Sequence, residues 1–186
     1  MEREKSPGGQ NPDISSSATT TAAAAMSDDV FTKYKSDVLR FFNRVGMSTH
    51  VPQRFDTKHF YSDLIGGLLK VQYLERGRIS CLLAVKPPVT NIYHGLHGGA
   101  VAAVAEMVSI ACARTVVGKD KELFLGELSV SYLSSAPENA ELVIDGSVVR
   151  SGRNLTVTEV SFRLKKSEKL TYTARATFYN MPVASL

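Results

Sequence analysis

One short stretch of the sequence combines residue types that could stabilise a developing negative charge. Asn91 comes first, His97 follows six residues later and starts a His-Gly-Gly run, and Glu106 follows nine residues after the histidine. Glycines that open a helix let another group approach the free backbone N–H groups of its first turn, where the helix dipole also favours negative charge. The pattern predicts an anion-stabilising helix start at Gly98 and Gly99, with one acid further along.

Glu106 is the residue of this stretch that packing explains least. From 100 to 117 the side chains are nearly all small or apolar, which predicts a helix that is buried on all faces. No cation lies one helical turn before or after the glutamate. A carboxylate placed there needs a partner from elsewhere in the structure, and such costly charges are enriched at functional sites.

Each of these residues taken alone also has an ordinary structural explanation. A glycine pair can form a tight turn, and a single histidine is often a hydrogen-bonded part of the fold. A glutamate on a helix of short side chains can reach solvent at an edge. The combination is more specific, because packing alone does not explain these residue types at these spacings.

The composition is typical of a soluble protein with one domain and a tail. The chain has 186 residues, 44% of them hydrophobic, and a net charge of +4. The apolar run over 100–117 is interrupted by Glu106, Ser109 and Arg114, so we predict no membrane span. We expect no nucleic-acid partner, because the sequence has no zinc-finger pattern, RNP-type motif or basic face interleaved with aromatic residues.

Cysteine and histidine spacing predicts no metal site. Cys81 and Cys112 lie in apolar surroundings, without CxxC spacing or a secretory signal, which predicts buried free thiols in a reducing compartment. The four histidines form no HExxH or other spaced ligand set. The basic residues near the end of the chain are better explained by a solvated hairpin tip than by a polyanion site. These residues are Arg150, Arg153, Arg163, Lys165, Lys166 and Lys169.

Periodicity divides the first third of the chain into three parts. Residues 1–26 have a low-complexity composition that cannot offset its ordering entropy, so we expect a disordered tail and a single domain over 27–186. Apolar residues at three- and four-residue spacing predict an amphipathic helix over 27–45. The irregular pattern over 51–63 predicts a loop that shapes the mouth of a pocket.

Six further runs have the composition and alternation of β-strands. They cover 68–74, 78–85, 123–133, 140–150, 154–164 and 170–180. Glu75-Arg76-Gly77 predicts a turn between the first two. One antiparallel sheet of about six strands, curved around the central helix, would bury that helix economically. We therefore predict an α+β fold with one long central helix and an extra N-terminal helix.

The order of elements and the Asn, His-Gly-Gly and acid motif resemble the hotdog-fold thioesterase superfamily. Within it the chain is similar to the PaaI-like acyl-CoA thioesterases of the thioesterase superfamily member type. The resemblance covers roughly 64–180 and matches Asn91, His97, Gly98, Gly99 and Glu106 to the signature of the family. It implies a hotdog fold and a role in fatty acid metabolism.

The resemblance implies an acyl-CoA thioesterase, in which coenzyme A is part of the substrate and no separate cofactor is needed. The Gly98 N–H would donate to the oxyanion that forms on the thioester carbonyl, with Asn91 or His97 orienting the site. Glu106 would act as a general base on water or as a nucleophile.

The resemblance also implies a homodimer with active sites at the interface, where the acid of one subunit faces the helix start of the other. Two such dimers commonly pair into a tetramer. Substrate and CoA binding would fall on Gly99 and on two strand-end segments, with Arg150 and Arg153 on the CoA phosphates because a guanidinium fork suits phosphate. The matching residues of these segments are Tyr132, Ser134, Ser135, Arg150, Gly152, Arg153 and Asn154.

Two departures from the family pattern keep other functions open. Some PaaI-like relatives have a Ser or Thr where this chain has Leu125; Ser109 could substitute, although a helix serine tends to bond its own backbone. The acid is Glu106 where many relatives have Asp. The main alternative is a non-catalytic acyl-CoA or fatty-acid binding protein on the same fold. A hotdog hydratase is disfavoured, because its Asp and His pair is absent.

The sequence leaves the acyl chain and the compartment open. Aromatic, medium-chain and long-chain substrates all occur in the family. We expect an intracellular protein, most simply a cytoplasmic one. The ending Ala184-Ser185-Leu186 is similar to a peroxisomal tripeptide but lacks its basic middle residue.

Overall fold

The computed structural model describes residues 28–46 and 50–183, in two units that are taken separately here. The first unit contains helix α1 (Asp28–Arg44), which confirms the predicted amphipathic helix to within one residue at each end. An exposed pair between Arg40 and Asp37, 3.1 Å apart, lies on its surface. The predicted disordered tail over 1–26 lies outside the described residues, and the single domain over 27–186 stays a prediction.

The second unit begins with a helix where the sequence predicted a loop. A 3-10 turn (Gln53–Phe55) leads into helix α2 (Phe60–Leu68). Gly66 and Gly67 lower the helix propensity of this segment, which is why its sequence pattern did not predict it. The helix is stabilised by packing, because Ile65 is buried in the main core.

Six strands form one antiparallel sheet, as predicted, and their ends lie within two residues of the predicted ones. They are β1 (Leu69–Glu75), β2 (Arg78–Ala84), β3 (Lys121–Tyr132), β4 (Glu141–Ser151), β5 (Leu155–Leu164) and β6 (Leu170–Pro182). Their spatial order is β1-β2-β4-β5-β6-β3, so β1 and β3 are the edge strands. The predicted turn between β1 and β2 contains Gly77 at a φ of +81°, a conformation that glycine adopts without strain.

Helix α3 (Gly98–Arg114) packs against one face of this sheet and contacts β2 to β6. Its buried side chains, which include Val101, Val104 and Val108, meet fully buried sheet residues such as Phe162 and Phe178. Cys81 and Cys112 are buried free thiols, as predicted. Burial raises the pKa of the Cys112 thiol to about 11, so this thiol stays protonated at neutral pH.

The prediction that α3 is buried on all faces is wrong for a single chain. One stripe of the helix is only half-buried, and it consists of Ala102, Ala103, Glu106, Met107 and Ile110. The inward-facing β3 residues Leu123, Leu125, Leu128 and Val130 are also half-buried. Ile110 and three of these leucines contact the same buried cluster around Phe178. We call β3 and the half-buried stripe of α3 the open edge.

The two ends of the sheet differ in which part of α3 they contact. At one end Tyr132 is paired with Tyr172, and the Tyr132 hydroxyl donates to the Gly98 carbonyl over 3.0 Å. At the other end Lys121 is paired with Pro182, and the Arg114 guanidinium donates to the Lys121 carbonyl over 2.5 Å. We call these the α3 N-terminal end and the α3 C-terminal end of the sheet.

Candidate active site

His97 is the N-cap of α3. Its ring Nδ1 accepts a hydrogen bond from the Gly99 N–H over 3.0 Å, and its carbonyl accepts from the Val101 N–H over 3.1 Å. Its own N–H donates to the Val89 carbonyl over 2.8 Å. Because Nδ1 is the acceptor, the neutral ring carries its proton on Nε2. The cap satisfies one of the orphan donors of the first turn and fixes the position of the histidine.

Gly98 keeps a free backbone donor beside this cap. Within the described part of the chain, no acceptor lies opposite its N–H. The Tyr132 hydroxyl donates to its carbonyl, and a Cβ at this position would lie 3.4 Å from the Tyr132 ring. The first turn of α3 is therefore fixed by two side chains, and its Gly98 N–H is available at the positive end of the helix.

Asn91 organises the loop that leads into α3. Its side-chain oxygen accepts from the Tyr93 N–H over 2.9 Å and from the Gly95 N–H over 3.2 Å. Its backbone N–H donates to the Gly95 carbonyl over 2.8 Å. With the oxygen engaged, the amide NH2 group remains a donor. A side chain at Gly95 would displace the Ser135 hydroxyl from its present position.

The end of β3 and the segment after it lie beside this loop. The Ser134 N–H donates to the Thr171 carbonyl over 3.0 Å, and the Leu96 N–H donates to the Ala136 carbonyl over 2.8 Å. The structure thus brings together seven of the predicted site residues at the α3 N-terminal end. They are Asn91, His97, Gly98, Gly99, Tyr132, Ser134 and Ser135.

Tyr172 is a supporting residue that the sequence analysis missed. Its ring lies edge-on to Tyr132 and to Phe162, with centroids 5.8 Å apart in both pairs. Its hydroxyl accepts from the Ala136 N–H over 2.9 Å, and burial raises its pKa. The ring therefore positions Tyr132 against the start of α3. In the sequence, Tyr172 looks like any other inward-facing strand residue.

Glu106 does not join this group within one chain. It lies eight residues after Gly98 on α3, which places it about 12 Å further along the helix axis. Reacting groups need to approach to about 3 Å, so one chain cannot present both groups to the same carbonyl. The carboxylate is half-buried on the open edge, without an ion-pair partner among the described residues.

The predicted CoA-binding arginines lie at the opposite end of the sheet. Arg150 lies near the end of β4, and Gly152, Arg153 and Asn154 form the turn between β4 and β5. The Asn154 carbonyl accepts a backbone hydrogen bond from β6 at the α3 C-terminal end. Eight residues of β6 separate the two ends, which corresponds to about 26 Å. Both arginines are exposed, and neither has an acidic partner in the described ranges.

Comparison with known proteins shows which family part of the chain resembles. The sequence model of the thioesterase superfamily matches residues 93–171, which contain α3 and His97 but not Asn91. Over this stretch, which is less than half of its length, the chain is similar to the thioesterase superfamily. A Caenorhabditis elegans protein provisionally named an esterase is 30% identical over 107 residues, covering 58% of this chain and 63% of that protein. The match thus spans less than two thirds of the curated relative.

Solved structures identify the fold of this chain. Zebra fish thioesterase superfamily member 2 has a TM-score of 0.60 and 21% identity, over 78% of this chain and 96% of that chain. A Streptococcus mutans protein with bound acetyl CoA has a TM-score of 0.54 and 21% identity, over 63% and 91%. These likenesses and the topology confirm the predicted hotdog fold.

The structure describes Leu125, which stands where some PaaI-like relatives have a Ser or Thr, and Ser109, the possible substitute for that hydroxyl. Leu125 packs against Ala113, Ala176 and Phe178, so it serves the core. Ser109 is fully buried, and its hydroxyl has no hydrogen-bond partner in the described chain. The prediction that this serine bonds its own backbone is therefore wrong.

A separate cavity of about 590 Å³ lies on the other face of the sheet. Its polar groups largely satisfy one another: Ser80 donates to Asp145 over 2.7 Å, and Arg175 lies 3.6 Å from Glu159. The cavity is separated from Gly98 and Glu106 by the sheet itself.

No helix of the described residues is long and apolar enough to cross a membrane.

Proposed function

We propose that this protein is an acyl-CoA thioesterase, which hydrolyses the thioester of an acyl-coenzyme A to a free carboxylic acid and CoA. One observation carries the proposal. Among the described residues, no acceptor takes the Gly98 N–H at the N-terminus of α3, while His97 caps the neighbouring donor and Tyr132 fixes the turn. The Streptococcus mutans relative with bound acetyl CoA supports this substrate class.

The reaction uses the free donor to stabilise charge. As water attacks the thioester carbon, its carbonyl oxygen becomes an oxyanion and accepts from the Gly98 N–H at the positive end of α3. The Asn91 amide NH2 is a second donor on the adjacent loop. When the tetrahedral intermediate collapses, the carbon–sulfur bond breaks and the CoA thiolate leaves. The preorganised N–H contributes about 10² to 10³ in kcat.

Glu106 supplies the proton transfer. As a general base its carboxylate takes a proton from the attacking water and returns it to the departing thiolate. As a nucleophile it would instead form an acyl anhydride that water then hydrolyses. Either role requires a carboxylate within about 3 Å of the reacting atoms.

A homodimer places these groups together. The open edge presents a strand of 12 residues with an unpaired side, next to half-buried apolar residues of α3. Such an edge favours pairing with another strand. Antiparallel pairing of two β3 strands sets the α3 N-terminal end of one subunit against the α3 C-terminal end of the other. Each Gly98 would then face groups supplied by the second copy, and two dimers would pair into a tetramer.

A non-catalytic acyl-CoA binding protein is the second candidate. It is favoured by Leu125, which stands where some PaaI-like relatives have a hydroxyl, and by the Ser109 hydroxyl, which has no hydrogen-bond partner in the described chain. A protein that only binds acyl-CoA has no need of the Glu106 carboxylate at a half-buried position.

The test is thiol release from short, medium, long and aromatic acyl-CoAs by wild type and Glu106→Gln. We expect wild-type turnover that falls by about 10² or more in the variant, with dimer formation and unfolding midpoint unchanged. The same panel ranks the acyl chains. Equal turnover by both proteins would refute the role of Glu106, and binding without turnover would favour the second candidate.

A further inference from the structure

We propose that Asn180 is a positioning residue for the CoA nucleotide, because it holds the turn between β4 and β5 in the conformation that presents Arg150 and Arg153. The proposal rests on the proposed CoA-binding function of that turn. Asn180 touches no reacting atom, and it acts through the backbone that carries the arginines.

Asn180 ties three positions of the turn region at once. Its side-chain NH2 donates to the Gly152 carbonyl over 2.8 Å, and its backbone N–H donates to the Asn154 carbonyl over 2.9 Å. Its side-chain oxygen accepts from the Thr156 hydroxyl over 3.1 Å. The backbone on both sides of Arg153 is therefore bonded to one residue of β6.

The burial of Asn180 makes these bonds strong determinants of the local geometry. Its side chain is 5% exposed, and Thr156 is fully buried. Leaving a buried amide without hydrogen-bond partners is costly, so the turn must keep the Gly152 carbonyl in place to satisfy the Asn180 amide. The inward-facing positions before it on β6 hold Tyr172, Ala174, Ala176 and Phe178. Packing alone would favour another apolar residue at 180.

The turn is also shaped from the β4 side. The pairing of β4 with β5 shifts register between Val148 and Arg150, and such a bulge re-aims the side chains next to it. The Ser151 hydroxyl lies 3.2 Å from the Thr156 hydroxyl, and the Gly152 N–H donates to the Leu155 carbonyl over 2.9 Å. The bulge and the Asn180 bonds together set the direction of Arg150.

A second hairpin of the same sheet shows the contrast. In the β5–β6 hairpin Lys165 pairs with Glu141 over 2.9 Å, and among the described residues no buried side-chain amide bonds to its turn. The arginines of the β4–β5 turn have no acid partner in the described part of the chain and stay free for an external anion. Two guanidinium groups on a fixed backbone suit the phosphates of CoA, because their fork geometry needs a defined direction.

The test separates effects on binding of the CoA nucleotide from effects on hydrolysis of the thioester. Kinetics would be measured with an acyl-CoA and with the N-acetylcysteamine thioester of the same acyl chain, which lacks the nucleotide. We expect Asn180→Asp to raise KM for the acyl-CoA about tenfold while kcat/KM for the short thioester stays within about twofold of wild type. The carboxylate keeps the size of the amide but removes its donor to Gly152.

Thr156→Val and Thr156→Ser form a matched second pair. Valine removes the hydroxyl that donates to Asn180, so we expect KM for the acyl-CoA to rise severalfold, whereas serine keeps the hydroxyl and wild-type values. This pair tests the proposal even where Asn180→Asp does not fold. Equal losses on both substrates would assign Asn180 a general structural role and overturn the proposal, as would unchanged KM values.

Calorimetric titration with free CoA and with pantetheine separates this proposal from the thioesterase function. Weaker binding of CoA by Asn180→Asp, with pantetheine unaffected, supports the positioning role even in a protein without turnover. If the wild type binds CoA no better than it binds pantetheine, the positioning role is refuted whatever the outcome of the activity assay.

Discussion

The two ends of the sheet offer an anion different kinds of donors. At the α3 N-terminal end the donor is the backbone N–H of Gly98, reinforced by the helix dipole. At the α3 C-terminal end the donors are the guanidinium groups of Arg150 and Arg153 on an exposed turn. A backbone donor suits a charge that exists only during the reaction, whereas an arginine suits the permanent charge of a phosphate.

The ends also differ in how they are fixed. Around Gly98 several short-range bonds act together, from the cap of His97, the loop of Asn91 and the hydroxyl of Tyr132. At the turn, the side chain of Asn180 bonds to Gly152 and Thr156 from the neighbouring strand β6. The α3 N-terminal end is thus fixed by bonds from several residues, whereas at the α3 C-terminal end one buried amide makes most of the side-chain bonds to the turn region. About 26 Å separates them in one chain, so the site that we propose requires two copies arranged antiparallel.

The largest expected effect on turnover comes from mixed dimers, which test whether each site combines groups from two subunits. The Glu106→Gln subunit keeps the Gly98 N–H but lacks the acid, and the Gly98→Pro subunit keeps Glu106 but lacks the N–H donor. Each homodimer should therefore lose turnover by about 10² or more. Subunits carrying two different tags would be co-expressed and the mixed dimer isolated. We expect it to recover about half of wild-type kcat, because one of its two sites has both groups intact.

Mixed dimers that stay inactive, although both variants fold and pair, would refute a site shared between subunits. The control is a mixed dimer of wild type and Glu106→Gln, which should also keep about half of wild-type activity. Equal activity of the two mixed dimers would locate the acid and the donor of each site on different subunits.

Gly98→Pro also isolates the backbone donor itself. Proline lacks an N–H but is favoured at the first position of a helix, and His97 already has the extended backbone that precedes proline, with φ −66° and ψ 133°. We expect kcat to fall about 10²-fold with little loss of stability. Gly98→Ala adds a similar Cβ and keeps the N–H, so it should stay within several-fold of wild type. Equal losses in both variants would indicate a steric effect.

The opposite end should respond through binding. Arg150→Ala and Arg153→Ala each remove a phosphate contact, so we expect KM for the acyl-CoA to rise about tenfold with kcat nearly unchanged. Arg163→Ala is the control, because that arginine lies 3.7 Å from Asp145 and is already paired. Inhibition by free CoA should weaken in the first two variants only. Undiminished inhibition would contradict the phosphate contacts.

Periodicity predicted the sheet and α3 because alternation and apolar runs report burial directly. It missed α2, whose Gly66 and Gly67 oppose a helix that packing nevertheless stabilises. It also overstated the burial of α3, since an apolar sequence cannot tell whether its own chain or a second copy covers it. The half-buried Met107 and Ile110 show that the single chain leaves part of this helix uncovered.

The site was predictable where its residues are near in sequence or match a family motif. His97, Gly98 and Asn91 belong to one stretch, and the resemblance supplied their proposed functions. The bond from Tyr132 to Gly98 spans 34 residues, and the bond from Asn180 to Gly152 spans 28. No local pattern encodes such contacts, so the supporting bonds of both ends required the structure.

The smallest expected effect is at His97, where two variants separate helix capping from a direct part in catalysis. His97→Ala removes the acceptor for the Gly99 N–H, which should cost about 1 kcal/mol in the free energy of unfolding. His97→Asn supplies another good capping side chain and should restore most of that stability. If His97 acts only by fixing the first turn, kcat of the asparagine variant stays within a few-fold of wild type and the alanine variant loses slightly more. Denaturant unfolding and thiol release on the same samples measure both quantities.

A large loss of kcat in a fully stable His97→Asn would instead give the imidazole a direct part in the reaction. The α3 N-terminal end would then depend on a side chain, as we propose that the turn depends on Asn180.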